Sequence, residues 1–316
     1  MDKGISIGTA IGKIILMGEH SVVYGEPAIA MPFPETIVKT TVYRRSGPVI
    51  LECIYYKGEL TDAPKELLGL VQVIRNISES FNEELKDFSI NIESTIPPER
   101  GMGSSAAVAI ATIRALYDFF NRPLAYDELL KWTNVSEKIV HGNPSGIDAA
   151  VVSGEKTLYY IKGKPFVPFD FKLDAYLVVG DTGKKGQTKA AVEGVRQFIE
   201  SNPEEGRALI KELGVLTVNA KNLIENNNPK KLGEVMTRAH NILDKLGVSD
   251  DNLNLLVSEA LSNGALGAKL TGGGRGGCII ALASSADEAI HISNKLLIKG
   301  AKNTWISNLG VDLIDK

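Results

Sequence analysis

Residues 97–107 read Pro-Pro-Glu-Arg-Gly-Met-Gly-Ser-Ser-Ala-Ala, and this composition suits a phosphate cradle. Gly101 and Gly103 remove the Cβ that would keep a ligand away from the backbone. Ser104 and Ser105 open an apolar run, where helix N–H groups have no partner inside the helix and the dipole favours an anion. A tight turn with a serine N-cap fits the same residues and needs no ligand. A dinucleotide fingerprint also fits in outline, since Gly101-x-Gly103-x-x-Ala106 matches G-x-G-x-x-G/A. That motif wants an acid ending a second strand about 20 residues on. Asp118 and Asp127 instead fall in or beside helical sequence. The pattern G-x-x-x-x-G-K-[ST] does not occur in the chain.

Five further groups of residues could carry chemistry. Lys13, Glu19 and His20 meet near the end of an apolar strand, beside Gly18. Such a cluster lines a pocket or forms a surface turn with a local Lys–Glu pair. Glu137 and His141 are four apart and share a helix face, and a carboxylate on so apolar a helix calls for a cation. Asp148 follows the turn at 142–146 and opens an apolar run, either as an N-cap or as an acid aimed into a cleft. In the polar loop 181–188, Lys184 and Lys185 suit a solvated loop better than a phosphate lid. Residues 272–277 hold five glycines in six positions, an entropic cost that points to close backbone approach by another segment or a ligand.

The elements that must position these groups follow from periodicity. Residues 88–96 alternate apolar and polar and predict a strand; 106–120 are almost wholly apolar and predict a buried helix. Strands are expected at 5–10 and 13–17, joined near Gly12, then at 28–44 and 49–56, rich in β-branched residues. Helices are expected over 62–84 and 126–141. Short strands at 157–161, 165–168 and 175–179 precede helices at 188–201, 204–226, 229–245 and 250–262. A strand at 279–283, a helix at 286–299 and a strand at 304–307 end the chain. Runs of strands followed by runs of helices make an α+β protein, with a domain boundary near 163–174.

The 316 residues, 44% hydrophobic, suffice for one large domain or two ordinary ones. A net charge of −3 offers no basic excess for nucleic acid. Cys53 and Cys278 stand apart, which suggests a reducing compartment. No stretch reaches the roughly 18 apolar residues of a membrane helix, and the N-terminus does not read as a secretory signal. A cytoplasmic globular protein is expected.

Taken together, the motifs resemble a known family. Residues 12–25, Gly-Lys-Ile-Ile-Leu-Met-Gly-Glu-His-Ser-Val-Val-Tyr-Gly, resemble the first motif of mevalonate kinases. Residues 97–107 and 269–278 resemble the second and third motifs of the wider GHMP kinases: galactokinase, homoserine kinase, mevalonate kinase and phosphomevalonate kinase. Residues 141–148 and 246–249 are similar to two further mevalonate kinase stretches. This resemblance implies a two-domain α+β GHMP-kinase fold, with a nucleotide-binding domain at 1–165, a C-terminal α/β sandwich at 166–316, and an active-site cleft between them. It implies ATP-dependent phosphorylation of the primary hydroxyl of mevalonate with Mg²⁺, and it admits a homodimer. Asp148 matches the catalytic aspartate and Lys13 the lysine that stabilises the transferring phosphoryl group. Ser105 and Glu137 match the Mg²⁺ ligands. Arg100, Gly101, Met102, Gly103, Ser104, Ser105, Ala106 and Ala107 would hold the ATP phosphates. Glu19, His20, Ser145, Thr182, Gly272, Gly273 and Gly274 would lie toward the substrate.

The chain departs from the pattern at Glu99 and Arg100, where many relatives carry small residues, and at Arg275, which interrupts a loop often glycine there. The adenine pocket has no legible motif. The alternatives are a sister kinase acting on phosphomevalonate, homoserine or a sugar, a dinucleotide-binding oxidoreductase, and an inactive ligand-sensing relative.

Overall fold

The computed structural model describes residues 4–142, 146–154 and 156–311. In chain order the first elements are β1 (Ile5–Met17), β2 (Pro27–Pro48), β3 (Ile50–Cys53), β4 (Tyr56–Glu59), α1 (Leu68–Ser80), β5 (Lys86–Ser94), α2 (Ser104–Phe119), α3 (Tyr126–His141) and α4 (Ile147–Ser153). Then come β6 (Thr157–Ile161), β7 (Val167–Phe169), β8 (Tyr176–Asp181), α5 (Thr188–Ser201), α6 (Pro203–Glu225) and α7 (Pro229–Lys245). The last are α8 (Asp251–Ser262), β9 (Gly267–Thr271), β10 (Cys278–Ala283), α9 (Ala286–Ile298) and β11 (Asn303–Asn308). Mixed helix and sheet make the chain α+β, as its sequence predicts.

The chain forms two compact units that are not contiguous in sequence: 1–12, 36–97 and 103–154 form the first, and 13–35, 98–102 and 155–316 the second. A single boundary at 165/166 was the expectation. Instead β1 and β2 each run through both units, so the chain passes from one to the other several times.

In the first unit, β5 pairs antiparallel with the C-terminal part of β2 and parallel with β3, which pairs with β4. Helix α2 packs against α1, α3 and α4. Eleven of its side chains are buried, from Ala106 to Phe119, and the half-buried Ser104, Ser105, Val108, Arg114 and Asp118 share the remaining side. Its hydroxyl at Thr112 is met by Thr40, 3.2 Å away. Phe81, Phe88, Phe119, Phe120 and Tyr117 form an edge-to-face aromatic cluster at its C-terminal end.

In the second unit, β8, β9, β10 and β11 form an antiparallel sheet in the order β11-β8-β10-β9. Helices α7, α8 and α9 pack on it, and α6 packs on α7. The N-terminal part of β2 pairs with β6, which pairs with β7.

Three local differences from the sequence reading have plain causes. β1 runs unbroken through Gly12, because extended backbone accepts glycine. The helix expected from residue 62 begins at Leu68, after 3₁₀ turns at Leu60–Asp62 and Lys65–Leu67. Pro64 between those turns disfavours helical backbone just before it. Residues 267–271 form strand β9, for which the sequence pattern predicts no element. Its Lys269 is fully buried, and a lysine inside a short apolar run hides the strand pattern.

Ile110 lies at the centre of α2 with no exposed surface. Ile110→Ala is expected to destabilise the protein by about 2–5 kcal/mol. The thermal or urea midpoint checks this, and an unshifted midpoint would contradict the buried placement.

Candidate active site

In the first unit, the site begins where α2 does. Gly103 is its N-cap, in the left-handed region at φ 75°, with no side chain capping the helix. The serine cap suggested by sequence is therefore absent, and Ser104 and Ser105 occupy the first turn with half-buried side chains. The first amides of a helix have no acceptor within it, so this end presents donors. Ala107 does not belong to that set, because its N–H donates to Gly103 O at 3.0 Å. Ala106 and Ala107 are wholly buried, which leaves their side chains no contact with a ligand.

Helix α3 brings Glu137 and His141 to the same place. Ser105 Oγ is hydrogen-bonded to His141 Nε2 at 3.2 Å, and Glu137 Oε2 lies 3.7 Å from that nitrogen. A hydroxyl and a buried carboxylate thus share one neighbour beside a helix N-terminus. Such a pair fits Mg²⁺, a hard ion that takes a few protein oxygens and completes its shell with phosphates and water. Among the described residues no cluster of three or more His, Cys, Asp or Glu forms a metal cage. Asp148 is the second residue of α4, half-buried, behind the left-handed Gly146. It is therefore not the N-cap, which Gly146 supplies. Ser145 lies outside the described residues.

In the second unit, Lys13 is buried in β1 and its N–H donates to Met102 O at 3.0 Å. This bond fastens the strand to the Pro98–Met102 loop. Met102 is itself buried, with its sulfur 3.8 Å from Cys278 Sγ. Arg100 was expected to reach phosphate. Its guanidinium instead donates to Asp181 Oδ1 at 2.8 Å, to Gly183 O at 2.7 Å and to Pro98 O at 3.2 Å. It braces the loop 181–188. Gly186 N bonds Glu99 O, Gln187 N bonds Gly274 O and Gly277 N bonds Lys184 O. That loop is solvated at its side chains yet tied down along its backbone.

The glycine loop 272–277 is closed by other backbone. A Cβ on Gly101 would stand 3.2 Å from Gly272 Cα, and both residues have φ near 80°. Thr182 Oγ1 donates to Gly277 O at 2.7 Å. Arg275, in the left-handed region at φ 51°, bonds Val248 O through its N–H and Gly247 O through Nε at 3.0 Å. Two of the sequence motifs, 246–249 and 269–278, therefore lock together through this arginine.

Glu19 and His20 face the same loop. The Glu19 carboxylate forms an ion pair with Lys269, whose ammonium also donates to Leu270 O at 2.6 Å. Both side chains are almost wholly buried. Burial pushes the Glu19 carboxyl up and the Lys269 ammonium down, each opposed by the other's charge. Lys13 adds a weaker pull on Glu19, so the local Lys13–Glu19 pair suggested by sequence gives way to Lys269. His20 Nε2 donates to Gly273 O at 3.0 Å. Its Nδ1 is therefore a bare acceptor in the neutral ring, buried and without a protein partner. Burial lowers the His20 pKa to about 4, and the charges of Arg275 and Lys269 add to this. His240 on α7 accepts from Leu270 N at 3.3 Å and bonds Asn254 Oδ1 at 3.1 Å. Burial and then the Lys269 charge lower it to about 4 as well.

Sequence reasoning missed Lys269. Its only signal is a charged residue between Ala268 and Leu270 in an apolar run, with the acid it pairs 250 positions away.

His20 and His240 resist protonation in the folded chain, with pKa values near 4 against 6.5 unfolded. Between those values the unfolded chain binds more protons. Their stabilising contribution is complete above about pH 6.5 and is lost as pH falls toward 4. His240→Asn is expected to lower the slope of unfolding free energy against pH in this window by up to about 1.4 kcal/mol per pH unit. Urea titrations across the window test it, and an unchanged slope would count against a neutral buried His240.

The match to known proteins runs along the whole chain. Residues 69–155 match the model of the GHMP kinases N terminal domain, and residues 220–302 that of the GHMP kinases C terminal domain. The mevalonate kinase of Pyrococcus horikoshii is 36% identical over 311 residues, covering 92% of each chain. Among solved structures, L. major mevalonate kinase in complex with R-mevalonate superposes with a TM-score of 0.84 at 27% identity, covering 98% of this chain and 97% of that one. Mevalonate kinase from methicillin-resistant Staphylococcus aureus superposes at 0.76 with 35% identity, covering 98% and 100%. Among the described residues no helix is long and apolar enough to cross a membrane. Family domains in the expected order, with relatives alike from end to end, mean that this chain belongs to the GHMP kinases, on their mevalonate kinase branch.

Proposed function

We propose that this chain phosphorylates the primary (C5) hydroxyl of mevalonate with ATP, giving 5-phosphomevalonate and ADP, a step of isoprenoid biosynthesis. The observation that carries this is the 36% identity to a mevalonate kinase over 92% of both chains. It acts on mevalonate and ATP in a cytoplasmic setting, with neither nucleic acid nor membrane as partner.

Phosphoryl transfer of this kind needs positioning and charge neutralisation rather than covalent chemistry. The first-turn amides of α2, from Ser104 to Ala106, hold the ATP phosphates, with the turn at Gly101–Gly103 giving the backbone close approach. Ser105 Oγ and the Glu137 carboxylate would hold Mg²⁺. When bound, that ion neutralises phosphate charge. The Asp148 carboxylate takes the proton of the acceptor hydroxyl as its oxygen attacks the γ-phosphorus, and the bond to the ADP oxygen breaks. The Lys13 ammonium stabilises the negative charge that builds on the transferring group. His20 Nδ1 accepts a hydrogen bond from a hydroxyl of the acceptor, a role open to it because Nε2 is spent on Gly273 O. Arg100 and Thr182 are committed to Asp181, Gly183 and Gly277, and brace the loops of the second unit.

A coupled ADP-release assay across mevalonate, phosphomevalonate, homoserine and galactose tests the assignment. Turnover is expected with mevalonate; turnover confined to another acceptor would move the chain to a sister activity.

Asp148→Asn is expected to cut kcat by at least about two orders of magnitude, the scale of general-base catalysis, while ATP affinity stays near wild type. Near-normal turnover in that variant would remove Asp148 from the proton-transfer step.

A further inference from the structure

We propose that Lys269 is a positioning residue for the acceptor: its buried ammonium, clamped between Glu19 and Leu270 O, fixes the positive-φ turn that presents His20. The proposal rests on the reading that His20 faces the acceptor.

The residues on the page set up a two-point hold. Glu19 and His20 are neighbours in a turn where His20 has φ 60°, a conformation that a non-glycine residue keeps only when its surroundings hold it there. The Glu19 side chain is pinned by Lys269, and the His20 ring is pinned by Gly273 O. Both anchors belong to one continuous segment, β9 and the glycine loop behind it. The anchoring strand is itself held. Leu270 N donates to His240 Nδ1 while Leu270 O accepts from Lys269. Asn254 then bonds His240, Ser249 and Asp244. The outcome is a His20 ring whose free acceptor, Nδ1, has its direction fixed.

The energetics favour a role beyond stability. Burying an ammonium and a carboxylate costs hydration that their attraction roughly offsets. Methionine opposite glutamine would fill the space without that cost. What the charged pair adds over them is direction, since an ion pair with a second bond to Leu270 O tolerates few geometries.

Three variants and the wild type are compared by steady-state kinetics with mevalonate and ATP, thermal midpoint, and ¹⁵N shifts of the histidine rings. The four histidines make the assignment tractable. Lys269→Met is expected to lower the midpoint, because Glu19 is left buried without its cation. The double variant Glu19→Gln/Lys269→Met is expected to regain most of the midpoint. Its mevalonate KM should still rise at least about tenfold, with ATP KM within about twofold of wild type. In the double variant the His20 ring should lose its single Nε2–H tautomer and titrate closer to an ordinary histidine. Should Lys269→Met fail to fold, the double variant decides alone. Wild-type mevalonate KM and wild-type His20 shifts in the double variant would overturn the proposal, as would equal rises in both KM values. His20→Ala separates the two levels of inference. An unchanged mevalonate KM there overturns the reading of His20 and the proposal with it. A raised KM there, beside an unaffected double variant, overturns the Lys269 proposal alone.

Discussion

A buried ammonium must find an anion, and in the second unit that requirement ties the two ends of the sequence together. Lys269 sits in β9 with no exposed side-chain surface, and Glu19, 250 positions earlier, is its counter-charge. Neither could stay charged in the interior alone. Once they pair, the turn carrying His20 is placed against Gly273, and Leu270 is gripped from both sides. The glycine loop then closes by backbone contact: Gly272 against Gly101, Arg275 on Gly247 and Val248, Thr182 on Gly277. Glycine is used where main chains must touch, and arginine where a loop must be tied to its neighbour.

The first unit solves a different problem. Its helix α2 is buried on nearly every side, so its direction is set by packing rather than by an amphipathic face. Its polar positions are the serines of the first turn and, further along, the half-buried Arg114 and Asp118. A helix whose body is locked in an apolar core presents its first amides rigidly, which is the preorganisation that phosphate binding needs. Ser105, Glu137 and His141 are gathered at that same end by the packing of α3 on α2.

Much of this was legible in the sequence. Residues 126–141, 188–201 and 229–245 are helices with the bounds their periodicity predicts. The serine-led start of α2, the Glu137–His141 face and the need of the glycine loop for close approach also follow from residue types and spacing. The tools that find them are local: a 3.6-residue period, a missing Cβ, an orphaned helix donor. The same tools do not say which partners Arg100 takes or that the Ala107 amide is spent on Gly103. What a guanidinium bonds, or whether an amide is already spent, depends on neighbours the local pattern does not contain.

What the sequence determined by itself was the α+β class, the motif order and the residue types able to do phosphoryl chemistry, because these rest on composition and short-range spacing. Tertiary structure alone decided that Lys269 belongs to a strand and pairs with Glu19, that Arg100 serves Asp181 and Gly183, and that His20 keeps Nδ1 free. It also decided which segments of the chain make up each unit. Each of these turns on desolvation, which penalises a charge or a lone donor according to what surrounds it in space, and no spacing along the chain encodes that surrounding.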